Sequence, residues 1–293
     1  MKRLRRIQFG LAGLVAMLGI ISGAGVVAHA AGPRDDLHAL LPDRIKQSGV
    51  LTIATDAHHP PNESYADDGK TIVGFEPDVW NTLATLLGVT TRVVSIDFDG
   101  LIPSVQSGRF DVAFESLSDD TAREQQVTFI DYANASAVVY APASTAVTTD
   151  ANSLCGLKAG LQAGTDFATS IRRLSTACTA HGKPAIDAME YASDAATVMA
   201  LYAQRVDFAV DDRLAAKKMT EHSPRPLKIV DVGLPRFTVG AIVRHDDKQL
   251  AAALLAALER MHQDGSYAAI LSRWQVSPLA LDHPGLNLAA GQP

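Results

Sequence analysis

A two-lobed α/β fold is what this sequence predicts, on three observations. Short β-branched apolar runs alternate with amphipathic helical runs from Val50 onward, the pattern of a mainly parallel sheet flanked by helices. The alternation breaks at a Ser/Thr-rich stretch, 143–153, and then restarts, so a second unit of the same kind follows the first. Within each unit one helix, tight turn and strand recur. Residues 101–106 lead into Gly108-Arg109-Phe110-Asp111-Val112-Ala113-Phe114-Glu115, and 198–203 into Gln204-Arg205-Val206-Asp207-Phe208-Ala209-Val210-Asp211. Both strands carry polar residues at their carboxyl ends, where open parallel sheets bind ligands.

The elements follow in order. Residues 50–54 read as a buried strand, because the run is short, apolar and β-branched. A helix from about Glu76 puts Val79, Leu83, Leu86 and Leu87 on one face and stops at Gly88. A strand at 92–96, a short helix at 101–107 and a strand at 111–114 complete the first unit, and 137–141 leads out of it. The second unit has strands at 158–162, 185–189 and 206–210, with helices at 166–174 and 195–204. A third block, with a strand at 238–243, an amphipathic helix at 248–263 and a run at 267–274, returns to the style of the first. If it packs there, the chain crosses between lobes twice, and two crossings make a hinge. The expected domains are lobe 1 at 31–137 and 239–278, lobe 2 with its hinge strands at 138–238, and a loose tail at 279–293 rich in Pro, Gly and Ala.

Lys2, Arg3, Arg5 and Arg6, an uncharged apolar run from 9 to 28, and Ala28-His29-Ala30 have the layout of a cleaved secretory signal over residues 1–30. The expected location is therefore an oxidising compartment, most simply a periplasm. There the two cysteines, Cys155 and Cys178, favour a disulfide over two free thiols. Without the four basic residues of the signal, 22 Lys and Arg face 32 Asp and Glu, a net charge of −10. That balance, with no basic stripe interleaved by aromatics, argues against nucleic acid or an anionic membrane as partner.

The chemistry concentrates in Ser116-Leu117-Ser118-Asp119-Asp120-Thr121-Ala122-Arg123, which sets two hydroxyls and a guanidinium just past a buried strand. A guanidinium grips both oxygens of a small carboxylate, hydroxyls and helix-terminal N–H groups satisfy the remaining lone pairs, and no cofactor is needed. Asp211-Asp212, at the matching end of the second unit, is the acidic counterpart; Asp211 reads as a helix N-cap. His58-His59 is not expected to hold a metal, because adjacent residues on an extended segment face opposite sides and no ligand spacing completes a site.

Taken in order, these motifs resemble the extracellular solute-binding proteins of polar amino acid ABC transporters. The similarity runs over about 41–274 and is carried by Thr55-Asp56 with Pro60-Pro61, Gly74-Phe75-Glu76-Pro77-Asp78, Phe98-Asp99-Gly100, Gly108-Arg109-Phe110-Asp111, Arg123, Gln162-Ala163-Gly164-Thr165, Asp212-Arg213 and Asp264-Gly265. The resemblance implies a type II periplasmic-binding-protein fold, an amino acid ligand, an inner-membrane ABC permease as partner, and a monomer that is not an enzyme. It implies that Arg123 binds the ligand carboxylate with Ser118 and the N–H groups at Thr165 and Asp166, while Asp212 pairs with the ammonium and Ser116 adds a contact to it.

The sequence departs from the family pattern at four positions. His59 and Asn62 stand where many members carry aromatics, Asp120 where most have Thr, and Glu115 where a small residue is usual. A more acidic, less aromatic pocket leans toward a cationic or Gln-like side chain, with Asp56 and Glu115 as its partners and Phe98 as an apolar wall. Some proteins on this fold are prephenate-type dehydratases, which hold a carboxylic acid protonated; Glu115 is the residue for that alternative. A ligand sensor for a membrane receptor is a third reading.

Overall fold

The computed structural model describes residues 35–289. The expected signal peptide lies outside the described residues. Among them no helix is long and apolar enough to cross a membrane.

Helices α1 (Asp35–Leu40) and α2 (Asp43–Ser48), which the sequence reading did not anticipate, lead into strand β1 (Val50–Thr55). Three short strands, β2 (His58–His59), β3 (Glu63–Tyr65) and β4 (Ile72–Val73), then form a small antiparallel sheet of their own. Gly74 joins it to helix α3 (Phe75–Leu87). Its φ is 153°, and a Cβ there would sit 1.9 Å from the Asn62 carbonyl oxygen, so only glycine lets the start of α3 dock on the β2–β3 loop. Helix α3 buries Val79, Trp80, Leu83, Leu86 and Leu87 and ends at Gly88 in the left-handed region. Strand β5 (Thr90–Ser95), helix α4 (Leu101–Gln106) and strand β6 (Val112–Ser118) follow, with β5 and β6 each parallel to β1.

After the single-turn helix α5 (Thr121–Glu124) comes β7 (Val127–Pro142), a 16-residue strand where a five-residue one was expected. Its extended run passes Asp131, Asn134 and Ser136, polar residues that hid its continuity. Beyond it lie β8 (Lys158–Gln162), α6 (Phe167–Ala180), β9 (Asp187–Tyr191), α7 (Asp194–Tyr202), β10 (Phe208–Asp212), α8 (Arg213–Glu221), β11 (Leu227–Val230), β12 (Arg236–Arg244), α9 (Lys248–Asp264), α10 (Ser266–Arg273) and β13 (Ala280–Leu286). The strand order is β5-β1-β6-β12-β7-β10-β8-β9, with parallel ladders toward both outer edges and antiparallel ones around β7 and β12.

Strand β7 belongs to both halves of this sheet. Up to Ser136 it pairs with β12, and from Ala137 with β10. One core gathers Trp80, Phe114, Tyr132 and Leu254 around α3 and α9; another gathers Val139, Leu161, Phe167 and Phe208. Helix α9 closes the first core, its buried Leu250, Leu254, Leu258 and Met261 recurring at the helical spacing that marked it in the sequence.

The expected pairing of Cys155 with Cys178 is present, with Cα atoms 5.6 Å apart and 23 residues of separation. It ties the turn before β8 to α6. Replacing both cysteines by Ser is expected to cost about 3 kcal/mol through loop-closure entropy, read as a lower urea midpoint with an unchanged far-UV spectrum.

The expected loose tail is corrected over Ala280–Leu286, because β13 pairs antiparallel with β7. Beyond it, the Leu288 and Ala289 amides donate to buried carboxylates, Asp131 Oδ2 at 3.1 Å and Asp119 Oδ2 at 2.9 Å. Asp119 therefore anchors the tail, while Asp120 alone caps α5 through Ala122 and Arg123 N–H. Burial, and then the neighbouring Asp131 charge, push the Asp119 carboxyl up to about 8; burial pushes Asp131 up to about 6. A carboxyl raised on folding contributes stability that is complete below its unfolded value and is lost as pH rises through the folded value. Stability from this pair should fall between about pH 4 and pH 8. Asp119→Asn, which keeps an acceptor for Ala289, should raise stability at pH 8 by about 1–2 kcal/mol and flatten that slope in denaturant titrations.

Candidate functional site

The carboxyl ends of β1, β6, β8 and β10 converge where the two sheet halves meet, and the sequence-predicted residues gather there. His59, Phe98, Glu115, Ser116, Ser118, Thr165, Asp166 and Asp212 line one cavity of about 30 Å³, room for a single water. Asp56 lies behind it, accepting from Gln162 Nε2 at 3.1 Å across the two halves. Arg123 reaches the same place from α5.

His59 occupies the centre. Its Nε2 is 2.9 Å from Asp212 Oδ2, 3.2 Å from Asp211 Oδ1 and 3.8 Å from Asp194 Oδ2, all on the opposite half of the sheet. Its Nδ1 is 3.3 Å from Asn62 Nδ2 and 3.8 Å from Glu115 Oε1. Burial pulls the imidazole down, but the Asp212 and Asp211 charges outweigh it and hold the ring well above its ordinary value, favouring the imidazolium. Asp212 is the matching anion: burial raises it, yet the His59 charge and the Leu214 and Ala215 amides bring it below the usual carboxylate range. For Asp211 and Asp194 burial wins over His59 and both are raised.

The assignment of Asp211 as the helix cap is corrected. Asp212 Oδ1 accepts from Leu214 N at 2.7 Å and Ala215 N at 3.0 Å, so Asp212 caps α8 with one oxygen and faces the cleft with the other. Asp211, 1% exposed, turns inward to His59.

Arg123, 8% exposed, is held by its neighbours: Nη1 donates to Ser118 O at 2.9 Å and Oγ at 2.7 Å, and Nη2 donates to Gly164 O at 2.8 Å on the other half. Thr165 is turned onto Gln162 O at 2.7 Å. Asp166, at the foot of α6, is raised by burial against the opposing pull of the Arg123 charge and a hydrogen bond from Ser118. Glu115 faces the cleft and pairs with neither Arg109 nor Arg123. Its Oε2 accepts from Thr55 Oγ1 at 3.1 Å and Asp56 N at 2.8 Å, and burial raises it well above the ordinary glutamate value. Ser116 has a φ of 43°, and its N–H and Oγ donate to Glu76 Oε1 at 2.9 and 2.5 Å.

Four residues in or behind the cleft escaped the sequence reading. Gln162 and Asp194 had a usable signal, since both stand at or just past carboxyl ends of strands in the second half. Glu63 had none, and Glu76 only its place in the Gly74–Asp78 motif, because the docking of α3 on the β2–β3 loop is what brings them, fully buried, behind the cleft. The histidine pair faces opposite ways as expected, His58 outward onto Asp56 at 2.6 Å. Spacing along the chain shows no carboxylate–histidine set, yet His59 lies within 4.8 Å of Glu63 and Glu115, and of Asp211 and Asp212, through contacts between strands.

A cleft at the switch between two sheet halves that share long crossing strands defines a type II periplasmic-binding-protein fold. The chain belongs to the bacterial extracellular solute-binding proteins, family 3, which it matches over residues 51–277. It is 30% identical over 258 residues to the arginine-binding protein ArgT of Corynebacterium glutamicum, covering 87% of this chain and 84% of that one. It is 25% identical over 264 residues to the L-cystine-binding protein TcyJ of Escherichia coli, covering 89% and 95%. Among solved structures it resembles an ancestral arginine-binding protein bound to glutamine, with a TM-score of 0.71, 26% identity, and coverage of 78% of this chain and 98% of that one.

Proposed function

We propose that this protein captures a polar amino acid with a cationic or Gln-like side chain and delivers it, from the periplasm, to an inner-membrane ABC permease. The observation that carries the reading is the charge imbalance of the cleft. Asp56, Glu115, Asp166, Asp194, Asp211 and Asp212 face one guanidinium, Arg123, and two imidazoles, His58 on Asp56 and His59 on the aspartates of the other half. Buried charge of one sign is costly, and a ligand bringing positive charge offsets that cost. The relatives support the same class, being named for arginine and cystine, and for lysine, arginine and ornithine in a further Escherichia coli relative.

In this account the ligand carboxylate takes the place of Gly164 O on Arg123 and of the Asp166 carboxyl on Ser118, and the α-ammonium takes the place of the His59 ring on Asp212. A cavity for one water cannot hold an amino acid, so entry requires the halves to part and His59 to swing aside. We assign residues 31–137 and 239–278 to one lobe and 138–238 to the other, hinged where β7 and β12 cross. Opposite charges gripped from opposite lobes then stabilise closure, because only a zwitterion contacts both.

Calorimetry of unfolded-and-refolded, ligand-free protein against the twenty amino acids tests the reading. Arginine, lysine, histidine or glutamine should bind one to one and glutamate should be far weaker; tighter binding of glutamate than of arginine would overturn it. The buried Glu115 carboxyl, raised by its environment, is the one observation favouring a prephenate-type dehydratase instead; turnover of prephenate that disappears in Glu115→Gln would establish that reading.

A further inference from the structure

We propose that the wall of the cleft behind His59 contains a site for one divalent first-row transition-metal ion of the Zn2+ class, held by His59 Nδ1, Glu63 and Glu115. These three offer one imidazole nitrogen and two carboxylates within 4.8 Å of one another. Zn2+ takes that donor set at about 2.0–2.2 Å per ligand and keeps a fourth position for water or a bound solute. Such bond lengths place tetrahedral donors about 3.4 Å apart, so the 3.8 Å between His59 Nδ1 and Glu115 Oε1 closes with a shift of a few tenths of an ångström.

The independent observation is Glu63. It is fully buried, and no hydroxyl, amide or cationic donor among the described residues reaches either of its oxygens; its hydrogen-bond partners are other carboxyls, which can meet it only through shared protons. The groups that face it are the carboxyls of Glu76 and Glu115. Asn62 Oδ1 is likewise a buried acceptor with no donor, and the Glu76 carboxyl, beyond Ser116, meets only the Tyr132 hydroxyl and the Glu63 carboxyl. The other oxygens of the cluster are well served: Glu76 Oε1 by Ser116 N–H and Oγ, Glu115 Oε2 by Thr55 and Asp56. Acceptors left over on one side of a cluster whose remaining atoms are satisfied call for a cation there, because a buried carboxylate without donor or counter-charge is expensive. Shared protons are the competing solution, and a metal ion would displace them, so its binding releases protons.

All three ligands come from one half of the sheet, on or beside β2, β3 and β6, so the ion does not depend on closure of the cleft. It would hold His59 Nε2 toward Asp211 and Asp212 and oppose the swing of the ring that amino acid entry requires, so the ion and the amino acid should compete; the ring also borders a neighbouring groove of about 500 Å³ along Pro60, Val198 and Met199. The site shares His59 and Glu115 with the amino acid cleft but uses Glu63 and not Arg123, so variants at Glu63 and Arg123 separate the two readings.

The test is titration of chelator-stripped full chain with ZnCl2, and with MgCl2 as the hard-ion control, by calorimetry in two buffers of different ionisation enthalpy. One equivalent of Zn2+ should bind, with buffer-dependent heat reporting released protons and little response to Mg2+. Glu63→Gln, close to isosteric, should weaken Zn2+ at least tenfold, His59→Asn should do the same, and Arg123→Ala should retain it while losing the amino acid. Absence of stoichiometric Zn2+ binding in the parent protein would overturn the proposal and leave the cluster to protons. Binding that survives Glu63→Gln but is lost in Asp211→Asn would overturn it too, by putting the ion on the Nε2 side.

Discussion

Arg123→Ala is expected to weaken binding of the amino acid by about 2–5 kcal/mol, a loss of some 30-fold to several thousand-fold, measured by calorimetry on refolded protein. The size follows from burial. Arg123 is 8% exposed, and its donors end on Ser118 and, across the cleft, on Gly164. A ligand carboxylate that displaces Gly164 O exchanges a neutral acceptor for a charged one, and charge-assisted bonds are roughly twice as strong. Without the guanidinium, that carboxylate would meet Asp166 and the Ser118 hydroxyl with nothing to balance it. Arg123→Lys should recover only part of the loss, because an ammonium cannot present two parallel N–H groups. An alanine variant with parental affinity would mean that the carboxylate is bound elsewhere.

The second large effect belongs to Asp212, where two roles must be separated. Asp212→Ala removes both the cap of α8, worth about 0.5–2 kcal/mol of stability, and the anion facing the cleft. Asp212→Asn keeps an oxygen for the Leu214 and Ala215 amides and removes only the charge. The Asn variant should therefore unfold at nearly the parental urea midpoint yet bind the amino acid about 2–5 kcal/mol more weakly. If Asn and Ala lost stability alike while both kept full affinity, the charge of Asp212 would have no part in binding.

Much of the fold was legible because its signals are local. The 3.6-residue recurrence in α3 and α9, the β-branched run of β1 and the short run of β8 survive in the structure within a few residues of where the sequence puts them. Strand β7 was only partly legible, since its polar residues are satisfied by tertiary contacts: Asn134 donates to Ala280 O, and Asp131 accepts from Leu288. Strand β13 was misread for a related reason, Pro and Gly being tolerated on a strand that pairs on one side only.

At the site, chain position explains what was found and what was missed. The residues of 115–123 and 211–212 lie at carboxyl ends of strands whose repetition pointed to a cleft. Glu63 and Glu76 owe their place to Gly74, whose missing side chain lets α3 press against the Asn62 carbonyl, and no periodicity announces such an approach. The role of His59 was half legible. Its position in the cleft follows from the resemblance, whereas its place between Asp212 and Glu115 depends on how closely the two halves approach.

The central claim is that one zwitterion is gripped at both ends from opposite sides of the cleft. The most direct measurement compares three ligands by calorimetry on the same refolded protein: arginine, its analogue without the carboxylate (agmatine), and its analogue without the α-ammonium (5-guanidinopentanoate). The account predicts one-to-one binding of arginine and at least a hundredfold weaker binding of both analogues, since each leaves either Arg123 or Asp212 without its partner. Agmatine or 5-guanidinopentanoate binding as tightly as arginine would contradict it.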